Sequence, residues 1–295
     1  MDRLVVLGLG LLGGSVALAA RRAGAARRVV GATRRVDVRE RALADGAVDE
    51  IAEPEAAVAG ADLVVLAMPI AAMGDSLRRI AAALQPGAVV TDVGSVKGPL
   101  CETFPGLLPP GAVYVGSHPM AGSHATGFEH ARDDLFEGAP CVVMAGGEVA
   151  ATERVTRFWQ ALGARVLLRQ PAAHDAEVAW VSHAPHVLAF AFAAALAEAP
   201  EGAAEARGSG FRDFTRIAHS DPELWADILA GNRKALSAPL QAVRRSLEQV
   251  ENALEADDVE ALGRLLAGAR AALATGHEPP TARQPGGAQE SDKTR

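Results

Sequence analysis

Gly8-Leu9-Gly10-Leu11-Leu12-Gly13 stands between a Val/Leu run and an apolar helix-like segment. Three glycines at that spacing suit the binding of a dinucleotide. The first permits a tight turn, the second lets backbone approach a pyrophosphate, and the third lets helix and strand pack closely. The helix start then offers free N–H groups and the positive end of its dipole to the phosphates. Gly8, Gly10, Leu11, Leu12 and Gly13 are therefore expected to bind a cofactor. One strand later, Val29-Val30-Gly31-Ala32 runs into Thr33-Arg34-Arg35. Enzymes that use NAD place a carboxylate there, which accepts from the ribose hydroxyls and repels a 2′-phosphate. Here a hydroxyl and two guanidiniums take its place, so NAD or NADP is expected, with NADP favoured and Thr33, Arg34 and Arg35 in contact with it.

Other reactive side chains have less telling spacings. His183 and His186 share one helical face, but no carboxylate or third ligand accompanies them at helical spacing, so no metal is expected. Asp213 and Arg216 are three apart, close enough to pair on a helix. Lys97 is one of only three lysines, with Lys234 and Lys293, in an arginine-rich chain, which suggests that lysine itself is needed there. Ser95 follows a strand and could cap a helix.

The elements that must position these groups are legible as texture. Leu4 to Leu7, Val29 to Gly31, Leu63 to Ala67, Val89 to Asp92, Val113 to Gly116 and Cys141 to Met144 read as buried strands separated by helical lengths. Continuous apolar strands in that rhythm predict an α/β fold, a Rossmann-type doubly wound parallel sheet. After Gln170-Pro171 the pattern turns all-helical, with helices expected over Ala172 to Ala199, Asp221 to Leu247 and Val259 to Leu273. The expected organisation is a nucleotide-binding domain over 1–170, a helical domain over 171–275 and a disordered tail over 276–295. Leu4 to Ala20 mimics a signal peptide but is short for a membrane span and carries four glycines. No other stretch reads as a span, so a soluble, cytoplasmic protein is expected.

Composition sets the outer limits. The chain has 295 residues, 49% hydrophobic and 22% charged, which excludes wholesale disorder, collagen-like repeats and coiled-coil rods. A net charge of −7 argues against a surface that neutralises phosphates, so nucleic acid is not an expected partner. Cys101 and Cys141 lack zinc-type spacing and are expected as free thiols. Val187 to Ala199 is apolar nearly all round, which predicts a homodimer through the helical half.

Five segments together narrow the reading. They are Gly8 to Ser15, Ser95-Val96-Lys97, His118-Pro119-Met120-Ala121-Gly122-Ser123, Ser182-His183-Ala184-Pro185-His186, and Gly210-Phe211-Arg212-Asp213-Phe214-Thr215-Arg216-Ile217-Ala218 with Trp225 beyond it. In this order they resemble the prephenate dehydrogenase family over roughly residues 3 to 275. The resemblance implies oxidative decarboxylation of prephenate to 4-hydroxyphenylpyruvate and CO2. It implies His118 as the base, Ser95 as the residue that orients it, and Lys97 as a third catalytic group. Arg216 would grip a substrate carboxylate with Asp213 holding the guanidinium, while His183, His186 and Trp225 would line the substrate pocket. Two positions depart from the family pattern: His124 stands where many members have glutamate, and Ser209 interrupts a glycine run. Arogenate dehydrogenase is the nearest alternative. A nucleotide sensor without catalysis and a β-hydroxyacid dehydrogenase are more distant ones.

Overall fold

Arg3–Leu7 (β1) buries all four of its apolar residues in the computed structural model, which describes residues 1–122 and 125–275. Its neighbours explain why. Leu11–Arg22 (α1), Arg28–Ala32 (β2), Val36–Ala44 (α2), Glu50–Ile51 (β3), Pro54–Val58 (α3), Leu63–Leu66 (β4), Ile70–Ile80 (α4), Val89–Asp92 (β5), Gly98–Thr103 (α5) and Val113–Tyr114 (β6) follow in alternation. The six strands form one sheet in the order β3-β2-β1-β4-β5-β6, and each pair is parallel. Because side chains alternate across a strand, Leu4 and Val6 enter one core and Val5 and Leu7 the other. The strand order reverses between β1 and β4, which opens a crevice at the carboxyl ends of these strands.

A second, three-stranded sheet corrects the expectation of a single one. Ser117–Pro119 (β7) runs antiparallel to Pro140–Met144 (β8), and Arg165–Arg169 (β9) lies parallel on its other side, after Val149–Ala161 (α6). The Cys141 to Met144 run is thus a buried strand, but of the smaller sheet. The β3 and β7 strands are too short to show a period, and β9 is arginine at both ends.

A buried polar knot joins the two sheets. Asp92, the last residue of β5, and Lys97 are both fully buried and form an ion pair through Oδ2 and Nζ. The same ammonium donates to the Ser117 carbonyl at 2.9 Å. Oδ1 of Asp92 accepts from Tyr114 Oη at 2.8 Å and from the Ser117 N–H at 3.1 Å. The Ser117 hydroxyl donates to the Asp92 carbonyl at 2.5 Å and so accepts from both Trp159 Nε1 and Thr91 Oγ1. Every polar atom drawn into this apolar region therefore has a partner, the condition under which such burial is tolerable. Lys97, expected as a catalytic group, has its ammonium engaged by Asp92 and Ser117 and without exposed surface.

Pro171–Val178 (α7) opens the helical part and continues through a π-helical turn, Ala179–His183, into Ala184–Ala195 (α8). Ser209–Thr215 (α9), absent from the expected helices, precedes a 3₁₀ turn over Arg216–His219. Pro222–Gly231 (α10) begins with the Asp221 carboxylate accepting from the Leu224 N–H at 2.9 Å. Arg233–Glu255 (α11) and Val259–Thr275 (α12) complete the described chain. The tail over 276–295 lies outside the described residues. Pro171–Glu198 corrects another expectation: by length and composition alone, these 28 helical residues could cross a membrane. Pro185 sits in the first turn of α8, directly after the π-helical turn. The same run carries Asp175 and three histidines that enter the site described below. The chain divides into two compact units at Pro239, within α11. In the second, Asp258 caps α12 by accepting from the Ala261 N–H at 2.8 Å.

Lys97→Met removes one partner and strands a buried carboxylate. The expected loss of unfolding free energy is about 3 to 5 kcal/mol, read from urea unfolding curves, and a loss below about 1 kcal/mol would show that the pair is not structural.

Candidate active site

At the crevice, the glycines behave as a dinucleotide cradle. Gly8 has φ +94°, and a Cβ there would lie 2.3 Å from the Ala67 carbonyl oxygen. A Cβ on Gly13 would lie 1.9 Å from the oxygen of Gly8, so α1 packs against the loop only because that atom is missing. Gly10, by contrast, faces open space where backbone can approach a ligand. No side chain caps α1 and no acidic residue occupies its first turn, which leaves its N–H groups at Leu11 and Leu12 to an anion. These residues fit a bound dinucleotide. At the end of β2, Thr33 accepts from the Arg35 N–H at 3.3 Å and through its carbonyl from Arg39 Nε at 2.8 Å. Arg35 is held by Asp37 at 2.5 Å. Arg34 is exposed and has no ion-pair partner among the described residues, so one of the two expected guanidiniums is free.

His118 enters on β7, opposite Val142 of β8, directly after the residue that the Asp92 knot secures. Its ring is nearly buried, and Nδ1 lies 2.9 Å from His174 Nε2 with the rings edge to face. His174 Nδ1 in turn lies 2.8 Å from Asp175 Oδ1. The Asp175 carboxylate also accepts the N–H groups of Lys97 and Gly98, each at 2.8 Å. Here the structure differs from expectation: Lys97, not Ser95, precedes the first turn of α5, and Asp175 reaches across to cap it. Ser95 is half-buried, and among the described residues nothing hydrogen-bonds its hydroxyl. His174 and Asp175 escaped the sequence reading because neighbours on a helix carry no spacing signal; only the buried geometry unites them.

The line of contacts extends further. Asn232, between α10 and α11, donates from Nδ2 to the Asp175 carbonyl at 2.8 Å and to His183 Nδ1 at 3.0 Å. That places the remaining proton of neutral His183 on Nε2, which is buried without a hydrogen-bond partner. Trp225 stands edge-on to His183 and stacks on His186 with ring centroids 3.6 Å apart. His186 Nδ1 donates to the Ser182 carbonyl at 2.9 Å. Burial chiefly lowers the His186 pKa, with the Arg216 charge adding to the effect, so Arg216 belongs to this group. Asp213 does not hold it. The α9 helix gives way to a 3₁₀ turn at Arg216, which changes the spacing, and both side chains are exposed without a mutual ion pair. Ser123 and His124 lie outside the described residues.

The electrostatics favour neutral rings. Burial drives the His118 pKa well below its ordinary value, reinforced by His174, Lys97 and His183. His183 is lowered to about 4, mainly by burial. Burial raises Asp175, but the bonds from His174 and from the N–H groups of Lys97 and Gly98 outweigh it, and its pKa falls below the usual carboxylate value. The site thus holds one uncharged imidazole on β7, a row of polar groups behind it and a free guanidinium nearby.

Comparison with known proteins gives this constellation a family. A family model described as the prephenate dehydrogenase nucleotide-binding domain matches residues 16–168, and the corresponding dimerization domain matches residues 170–268. The chain belongs to the prephenate dehydrogenase family. It is accordingly an oxidoreductase of the nicotinamide-dependent kind. It is 31% identical to prephenate dehydrogenase of Bacillus subtilis over 89% of this chain and 73% of that one. The structure of prephenate dehydrogenase from Aquifex aeolicus, in complex with hydroxyphenyl propionate and NAD+, superposes with a TM-score of 0.86 at 29% identity, covering 93% of this chain and 98% of that one. Arogenate dehydrogenase of Synechocystis is similarly close, with a TM-score of 0.80 and 31% identity over 92% of this chain and 99% of that one.

His183 yields a stability signature. A histidine whose folded pKa is depressed stabilises the fold fully above its unfolded value of 6.5, and that contribution is lost as pH falls toward about 4. The thermal midpoint should drop across this window, and His183→Asn, which cannot charge, should flatten the drop. Identical slopes in the two proteins would contradict the assignment.

Proposed function

We propose that the chain oxidises prephenate to 4-hydroxyphenylpyruvate with release of CO2, that its 1–170 segment holds the nicotinamide dinucleotide, and that its helical part over 171–275 provides the substrate pocket and a homodimer interface. The observation that carries this reading is a nearly buried histidine on β7 whose Nδ1 is engaged by His174 at 2.9 Å, while nothing among the described residues bonds its Nε2. Such a ring is neutral at pH 7 and ready to accept a proton. A nicotinamide dinucleotide held by the Gly8 to Gly13 loop would supply a hydride acceptor for the ring carbon that bears the hydroxyl. His118 takes the hydroxyl proton as that carbon becomes a carbonyl. The dienone then loses CO2, and the bonding pair released from the carboxylate carbon makes the ring aromatic and returns charge to the oxygen, which recovers its proton from His118. Arg216, free of any ion pair among the described residues, suits a carboxylate of the substrate by two parallel N–H bonds. The pyruvyl carboxylate is the better partner, because a firm grip on the departing one would oppose its loss. His183 Nε2–H, the stacked Trp225 and His186, and the half-buried Ser95 supply the remaining wall.

The homodimer rests on the matched dimerization domain and on Trp180, Val181, Phe192 and Phe214, large apolar groups exposed on one chain. Arogenate, which carries an amine in place of the keto group, would use the same chemistry. Parallel assays with both substrates separate the two.

Replacing His118 by Asn should lower kcat by about 100-fold or more while leaving cofactor affinity unchanged; near-normal turnover would end the reading. For the cofactor, we expect NADP to serve at least as well as NAD. No carboxylate of β2 guards the ribose site, and Arg34 is free to meet a 2′-phosphate. Arg34→Ala should weaken NADP selectively. A preference for NAD of about tenfold or more, roughly 1.4 kcal/mol, would sink this expectation.

A further inference from the structure

We infer that His174 and Asp175 are positioning residues that fix His118 in the tautomer with its lone pair on Nε2 and share the proton it accepts. The inference rests on His118 as the base and adds what makes it one. Asp175 accepts from His174 Nδ1 and from two backbone N–H groups, and these three donors leave it an ionised acceptor. In its uncharged form His174 therefore carries its proton on Nδ1, and its Nε2 can only accept. The atom facing it, 2.9 Å away, is His118 Nδ1, which must then be the protonated nitrogen of that ring. His118 Nε2 is left with the lone pair, and among the described residues nothing bonds it. Substrate is the partner it lacks.

The same line manages charge. An imidazolium on His118 is opposed by burial and by neighbouring Lys97. As Nε2 takes the substrate hydroxyl proton, the N–H bond at Nδ1 can break with its proton passing to His174 Nε2. His118 is then neutral again, protonated on Nε2, and the positive charge sits on His174 against the Asp175 carboxylate. Reversal returns the proton to the phenolate oxygen after CO2 has left, so atoms and charge balance without a further reactant. Asp175 also caps α5 through Lys97 and Gly98, which couples the orientation of the base to the segment carrying the Asp92 partner.

Two variants and one spectrum test this. Gln at 174 can place an acceptor oxygen near the position of Nε2, whereas Leu cannot accept. His174→Leu should lower kcat by about 100-fold with KM for prephenate and cofactor within about threefold, and His174→Gln should recover kcat to within about tenfold of the parent. Equal losses in both variants, or no loss in His174→Leu, would overturn the proposal. The nitrogen-15 spectrum of the histidine-labelled parent at pH 8, with His118 assigned by difference from His118→Asn, requires no folded Leu variant. It should show a protonated Nδ1 and an unprotonated Nε2; the opposite tautomer would overturn the proposal even if prephenate is turned over. If instead His118→Asn keeps full activity, it is the reading of His118 as base that fails.

Discussion

A fully buried carboxylate at the end of β5 is the constraint on which the site depends. Asp92 cannot remain ionised in an apolar core without compensation, and compensation comes from Lys97, Tyr114, Gly94 and Ser117 together. Satisfying it draws the start of β7 against the end of β5 and bends the chain between them. The next residue is His118. The pair is weak evidence for net stability, since apolar replacements can do as well, but its geometry is demanding, and that is what a histidine proposed as base on a three-residue strand requires.

From this anchor, two further lines of contact converge. Asp175 reaches α5 beside Lys97 and supports His174 behind His118. Asn232 extends the same support to His183, and Trp225 continues it to His186. Helical residues far along the chain thus complete a cluster begun at the sheet, without placing a fixed charge on His118 itself. The proposed neutral base beside free donors suits a reaction that moves a proton out and back while the substrate keeps its carboxylates until the last bond breaks.

How much of this was legible in sequence follows from where the information lies. The parallel strands and the glycine loop are local: β1, β4 and β5 were readable as apolar runs, and Gly8 and Gly13 sit where a Cβ would strike backbone. The second sheet was not, because β7 is three residues long and β8 differs from a parallel-sheet strand only in its partners. His118, His183, His186, Trp225 and Arg216 are named by motifs that resemble a family. His174, Asp175 and Asn232 belong to none of those motifs and are joined to the site by tertiary hydrogen bonds alone. The structure places Lys97 and Asp213 differently from expectation for a related reason. Rarity marked the first without saying whether it faced solvent or core, and helical spacing suggested a pair for the second that the change to a 3₁₀ turn undoes.

Coupled oxidation and decarboxylation at one neutral base is the central proposal for this chain. Its most direct measurement is the stoichiometry of a single reaction mixture at pH 7, with purified protein, prephenate and a nicotinamide dinucleotide, followed for reduced cofactor, CO2 and 4-hydroxyphenylpyruvate. Equal amounts of all three, formed at the same rate, are the predicted result. Reduced cofactor without CO2, or no cofactor reduction on addition of prephenate, would contradict it.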